Sequence, residues 1–91
     1  MAFLPGSPLE TLPPPPAVIP PIPIYPTYIV DCTFRYTYVW LWNGDNFWFY
    51  PTRVEYGIVA GLRWNGRFWF HFEMDPNNIR AVSCAPTPTL Y

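Results

Sequence analysis

Trp40-Leu41-Trp42-Asn43-Gly44-Asp45-Asn46-Phe47-Trp48-Phe49 and Leu62-Arg63-Trp64-Asn65-Gly66-Arg67-Phe68-Trp69-Phe70 are two versions of one pattern, with aromatic and aliphatic side chains on both sides of Asn-Gly. Asn-Gly between alternating apolar residues is the strongest short-range signal for a β-hairpin. Both central residues of a type I′ turn need positive φ, which Asn tolerates and Gly adopts freely. Two such hairpins predict an antiparallel, all-β domain.

Upstream of the first turn, Tyr28 to Trp42 alternates strictly. One face carries Tyr28, Val30, Cys32, Phe34, Tyr36, Tyr38, Trp40 and Trp42; the other carries Ile29, Asp31, Thr33, Arg35, Thr37, Val39 and Leu41. Such a run exceeds a normal strand, so a bend or break is expected near Thr33. Further strands are expected at Phe47–Tyr50, interrupted by Pro51, then at Val54–Trp64, Arg67–Met74 and Ile79–Cys84. Gly57 and Gly61 mark curvature or close approach of a neighbour. Asp75-Pro76-Asn77-Asn78 has the cap and first position of a single helical turn. Five strands with a helical turn before the last predict a small antiparallel barrel of the SH3 or Sm type, since closure removes edges.

The second hairpin reads face by face. A two-residue Asn65-Gly66 turn would pair Trp64 with Arg67, Leu62 with Trp69, Gly61 with Phe70 and Val59 with Phe72. One face is then Val59, Phe68, Phe70, Phe72 and Met74; the other is Ile58, Leu62, Trp64 and Trp69 with Arg67, His71 and Glu73. Both are apolar, and a small barrel has one inside. The remaining face is expected to serve an interaction. The first hairpin is less constrained, because Asn43-Gly44-Asp45-Asn46 fits a two-residue or a four-residue loop.

Residues 1–26 are a proline-rich arm, 27–85 the aromatic-rich β domain and 86–91 a tail. Ten of the 14 prolines precede Thr27. Pro13-Pro14-Pro15-Pro16 favours an extended polyproline II rod, which gives the arm a reach of about 75 Å, well beyond its own domain. The plain alternative is a solvated tail. Val18, Ile19, Ile22, Ile24 and Tyr25 make the second half too apolar for that. Ile22 and Ile24 alternate with Pro21 and Pro23, so the segment can donate along one edge only and would cap an open sheet.

The formal net charge is −1 and all 5 basic residues are arginine. That balance disfavours nucleic-acid binding through phosphates and favours association. Without lysine, edge strands lose a common protection against pairing. Met1–Gly6 has neither a basic n-region nor an apolar h-region, and prolines, glycines and charges interrupt every apolar run. Synthesis in the cytoplasm without a conventional signal peptide and without a membrane span is expected.

Chemistry-bearing residues are sparse. His71 is the single histidine and lies between Phe70 and Phe72; a structural role is expected of it. Ser7 and Ser83 lack the strand-turn-helix context of an activated nucleophile. The acids show no spacing that singles out a catalytic pair. Two cysteines and one histidine cannot complete a four-ligand zinc site. No catalytic, cofactor-binding or metal-binding residues are assigned, and no enzyme is expected. Cys32 and Cys84 are either buried thiols, an intrachain disulfide between the first and last strands, or interchain bridges.

Trp42, Trp48, Trp64 and Trp69 invite stacking on sugars or bases beside Arg63 and Arg67, or else simply pack across strands. Arginine and aromatics without lysine are also the composition of protein interfaces. Aromatic grooves take polyproline II peptides, and this chain carries both parts. The leading expectation is a self-associating structural subunit that builds a homo-oligomer, filament or surface layer. Its interface would comprise Val18, Ile19, Ile22, Ile24 and Tyr25 of the arm and Leu62, Trp64 and Trp69 of the sheet. The alternatives are an aromatic-faced module for carbohydrate or proline-rich peptide and, more weakly, a single-strand nucleic-acid binder.

The stretch Phe47-Trp48-Phe49-Tyr50-Pro51-Thr52-Arg53-Val54-Glu55-Tyr56-Gly57, with Arg63-Trp64-Asn65-Gly66 and Ile79-Arg80-Ala81-Val82-Ser83-Cys84, resembles a group of small uncharacterised proteins of spore-forming bacteria. These join a Pro/Tyr-rich arm to a compact aromatic domain. The resemblance implies a β domain deposited on a spore or cell surface, and it implies no catalytic residues.

Overall fold

The structure is a computed structural model and describes residues 12–84. The first eleven residues of the arm, with Ser7, the domain's last residue Ala85 and the 86–91 tail lie outside the described residues. Five strands, β1 (Thr37–Leu41), β2 (Asn46–Glu55), β3 (Ile58–Trp64), β4 (Trp69–Met74) and β5 (Ile79–Ser83), form one antiparallel sheet in the order β4-β3-β2-β1-β5. The all-β expectation is met. Closure into a barrel is not: β4 and β5 are the two edges, and no ladder joins them. Asp75-Pro76-Asn77-Asn78 explains why. Asp75 accepts from the Asn77 amide at 2.8 Å and caps the 3-10 turn Pro76–Asn78, so these main-chain groups close a turn instead of a hairpin. The turn delivers β5 to β1, at the far edge.

The long first strand is broken around Thr33, as expected, and the residues before the break are not extended strand. Ile29–Cys32 is a 3-10 turn, and the extended run begins only at Thr37. Pro51, in contrast, does not interrupt β2. Its carbonyl accepts from the Phe34 amide at 2.7 Å, so its nitrogen faces the same side, beyond the last β1–β2 pair at Thr37↔Phe49. The missing N–H falls where no ladder bond is needed, and a bulge between Pro51 and Arg53 absorbs the mismatch.

Neither Asn-Gly hairpin has the loop expected of it, and the strand expected at Val54–Trp64 is instead folded back at Tyr56-Gly57, its first two residues ending β2 and Ile58–Trp64 forming β3. The first uses three residues, with Gly44 at φ 94, the Gly44 amide on the Leu41 carbonyl at 3.1 Å and the Leu41 amide on Asp45 at 2.8 Å. That is a turn followed by a left-handed bulge residue. The second uses four residues, because Trp64 pairs with Trp69 and not with Arg67. Asn65 accepts both the Arg67 and Phe68 amides on its side-chain oxygen, at 2.8 and 2.9 Å, which widens the turn. The two-residue turn with positive φ at both central positions lies instead at Tyr56-Gly57, between Glu55 and Ile58. Pairing in the second hairpin is thus shifted by two residues. An even shift preserves side-chain parity, so its two faces survive, apart from Phe68, which is exposed in the loop.

One face of the sheet builds the core. Val39, Phe47, Phe49, Val59 and Val82 pack with Ile29 and Cys32 of the first 3-10 turn and with Cys84, flanked by Phe72 and Met74. Gly61 sits where β3 passes β2 so closely that a Cβ would lie 2.2 Å from the Tyr50 carbonyl oxygen. Arg63 closes the end of this core, its guanidinium 4.0 Å from the Phe47 ring centroid and 3.2 Å from the Asp45 carboxylate. Cys32 and Cys84 are joined by a disulfide with their Cα atoms 5.6 Å apart, linking the root of the arm to the end of β5.

Candidate functional site

Alternation along β1 to β4 sends every second side chain to the opposite face, and there the rings collect. Tyr38 lies opposite Trp48, Tyr50 opposite Leu62, and Trp64 opposite Trp69. Tyr36, two residues before Tyr38, joins the same face. Its ring stacks on Trp69 (centroids 5.9 Å apart, planes at 30°) and meets Tyr50 edge-on at 5.8 Å. Trp69 in turn leans on Trp64 at 5.1 Å. Edge contacts at 4.9 and 5.1 Å place Tyr38 between Trp40 and Trp48. These geometries are the favoured ones for ring quadrupoles and hold the rings in place on rigid strands.

The arm crosses this face. The Pro13 carbonyl accepts two hydrogen bonds, from the Tyr36 hydroxyl at 2.8 Å and the Trp69 indole N–H at 3.0 Å. Ile19 lines a cleft of about 420 Å³ with Tyr38, Trp48 and Trp64. The arm then bends at Ile24–Tyr25 and reaches the β5 side of the sheet, where Pro23–Val30 and Ile79 line a second cleft. Over its described length the arm therefore stays on its own domain rather than leaving it as a rod. Ile22 and Ile24 join no strand, so the expected edge capping does not occur in the single chain.

Burial raises the pKa of Tyr36 above the ordinary phenol value, and the neighbouring Tyr50 phenol adds to the rise. Tyr38 is raised for the same first reason, with the Asp45 charge second, and its hydroxyl donates to the Asn46 side-chain oxygen. Both phenols stay protonated through neutral pH and remain hydrogen-bond donors.

The residues expected at an assembly interface separate into two groups. Trp64 and Trp69 are half-buried and belong to the face that the arm crosses. Leu62 is buried in the single chain and offers no surface to a partner. Val18, Ile19, Ile22, Ile24 and Tyr25 are exposed, with Val18 at 77%, Ile24 at 87% and Tyr25 at 76% of full accessibility.

The stacking set of Trp42, Trp48, Trp64 and Trp69 does not assemble as one platform. Trp42 is exposed in the first hairpin loop, its ring centroid 5.9 Å from the Arg80 guanidinium. Arg63 directs its guanidinium over Phe47 and Phe72 on the core side, because adjacent residues of a strand point opposite ways, although it also borders the cleft that Trp48 and Trp64 line. His71 is exposed on β4 and pairs with Glu73 at 3.2 Å.

Tyr36, Tyr50 and Pro13 were not among the expected site residues. The alternation Tyr36-Tyr38-Trp40 was the signal for the first; nothing local announces that a proline carbonyl 23 positions away will meet it. Among the described residues no helix is long and apolar enough to cross a membrane, and no cluster of three or more His, Cys, Asp or Glu forms a metal site. Comparison of the chain with protein-family models, curated proteins and solved structures finds no match.

Proposed function

We propose that this protein is a structural subunit that associates with copies of itself through the apolar segment Val18–Tyr25 of its arm. The observation that supports this most is the exposure of that segment. Its proline run is held on the aromatic face, while Val18, Ile24 and Tyr25 lie along the domain with most of their surface exposed. Tyr28 and Val30, nearer the root of the arm, are exposed as well. Exposed apolar side chains in such number mark interaction sites, and each of that size contributes about 1.5–3 kcal/mol when a partner buries it. With a net charge of −1 there is little electrostatic repulsion to oppose association.

Among the described residues β4 and β5 each pair with one strand only, and such sheet edges can take a strand of a neighbouring copy. Head-to-tail use of such surfaces builds open filaments or layers. A disulfide-linked domain suits an oxidising exterior, and a spore or cell surface is the setting we propose for the assembly.

The test is sedimentation velocity of the full chain over a hundredfold concentration range, with negative-stain microscopy of the same samples. Growth of large species, abolished by Val18→Ser, Ile24→Ser and Tyr25→Ser together, is the expected outcome. A monomer at every concentration would refute the proposal.

A further inference from the structure

We infer that the face built by Tyr36, Tyr50, Trp64 and Trp69 is a polyproline II recognition site. The chain's own Pro13–Pro16 run is its resident ligand, and a proline-rich peptide of another chain exchanges into it. This inference does not depend on whether Val18–Tyr25 reaches a neighbour.

The proline run sets what a site for it must supply. Each of Leu12, Pro13, Pro14 and Pro15 precedes a proline, which confines its ψ to the extended region, while the rings fix φ of the prolines near −65°. The run has no choice but polyproline II. From Pro13 to Pro16 it has no N–H groups, so its carbonyls are its only polar atoms. A site that recognises it must supply donors set in apolar walls.

The face has that composition. Two donors converge on one carbonyl and fill both its lone pairs, and aromatic rings surround them. A second observation is independent of the hydrogen bonds. Leu12 and Pro15 are half-buried, whereas Pro13, Pro14 and Pro16 are exposed. Polyproline II has three residues per turn, so positions three apart share an edge. Leu12 and Pro15 therefore put one edge of the run against the domain, as a polyproline II helix lying on a surface does.

The rings are also held independently of the arm. Tyr36 is fixed by Trp69 and Tyr50, and Trp69 by Trp64, on the approach to β1 and on β2, β3 and β4. A pre-formed site keeps its affinity for a ligand supplied from elsewhere. In the native chain the tether gives the resident run an effective concentration on the order of millimolar, so a free peptide must compete against it.

The experiment uses the full-length, oxidised protein, isotope-labelled, with the Trp69 indole N–H resonance assigned through Trp69→Phe. In the quadruple variant Pro13→Ser, Pro14→Ser, Pro15→Ser, Pro16→Ser the site is released. A synthetic peptide of residues 11–19 should then shift the Trp69 indole resonance saturably. The native chain should need at least about tenfold more peptide, reflecting the tethered competitor. Adding Tyr36→Phe to the quadruple variant should weaken binding by roughly fivefold, the loss of one hydrogen bond. An unshifted Trp69 resonance, or equal binding of a peptide with alanine for every proline, would overturn the inference.

Should the quadruple variant fail to fold, the native chain still decides. Its Trp69 indole proton should exchange with water far more slowly than that of exposed Trp42. Equal rates would mean that Pro13 is not held.

Discussion

Gly61→Ala is the substitution whose cost follows most directly from the geometry. An added Cβ would lie 2.2 Å from the Tyr50 carbonyl oxygen and 2.8 Å from the Pro51 Cα, both main-chain atoms. No side chain can swing aside to relieve the clash. An ordinary contact begins at 3.4 Å, so β2 and β3 would have to part by about 1.2 Å. A ladder bond of about 2.9 Å stretched by that amount is no longer a hydrogen bond. The pairs affected are Tyr50↔Leu62 and Pro51↔Gly61, beside the bulge.

Overpacking of this kind costs about 1–3 kcal/mol, and each ladder bond lost adds about 1 kcal/mol. Replacing glycine in a strand returns roughly 0.5–1 kcal/mol of chain entropy. The net expectation is about 2 kcal/mol of destabilisation, or a fall in melting temperature of about 8–16 °C for a domain of this size. Tyr50 would also move relative to Tyr36, loosening the arm site. Gly57→Asn is the control. Nothing lies within 4 Å of a Cβ there, and Asn is among the side chains best suited to the left-handed φ of 74°, so a loss well below that of Gly61→Ala is expected. Thermal unfolding by circular dichroism gives both numbers. A Gly61→Ala melting temperature equal to or above that of the native protein would refute the close approach of β2 to β3.

Two further predictions follow from the cysteine pair and the buried phenol. Cys32→Ser with Cys84→Ser removes a bond spanning 52 positions and should lower stability by about 4 kcal/mol, read as a shift in urea midpoint relative to the oxidised protein; an unchanged midpoint would refute it. Tyr36 has a folded-state pKa raised above 10.0, so its contribution is complete below pH 10 and is lost as pH rises through the folded value, where the phenolate can no longer donate to Pro13. Stability measured from pH 8 to 11.5 should fall more in the native chain than in Tyr36→Phe, and parallel curves would remove the phenol from the account.

Parity and turn chemistry are local properties, and they were legible in the residues themselves. Alternation separates Val59, Phe70, Phe72 and Met74 from Leu62, Trp64 and Trp69 whatever the loop length, provided the shift is even. Asp75-Pro76 caps its turn because the carboxylate reaches an amide two residues on. The proline run is extended by its own rings.

Everything that depends on two distant segments meeting was decided by the tertiary structure. Asn43-Gly44 and Asn65-Gly66 open into three- and four-residue loops because the pairing of whole strands, not the dipeptide, sets where each ladder ends. Pro51 passes through β2 only because β1 stops short of it. Arg63 turns its guanidinium onto the core rather than stacking on a tryptophan, since Phe47 and Phe72 present their faces to it there. The Tyr36–Trp69 pair closes on the Pro13 carbonyl across 23 and 56 positions of sequence. No periodicity encodes that contact. It arises because a helix with no donors of its own needs a surface of rings and N–H or O–H groups, and the folded sheet presents one.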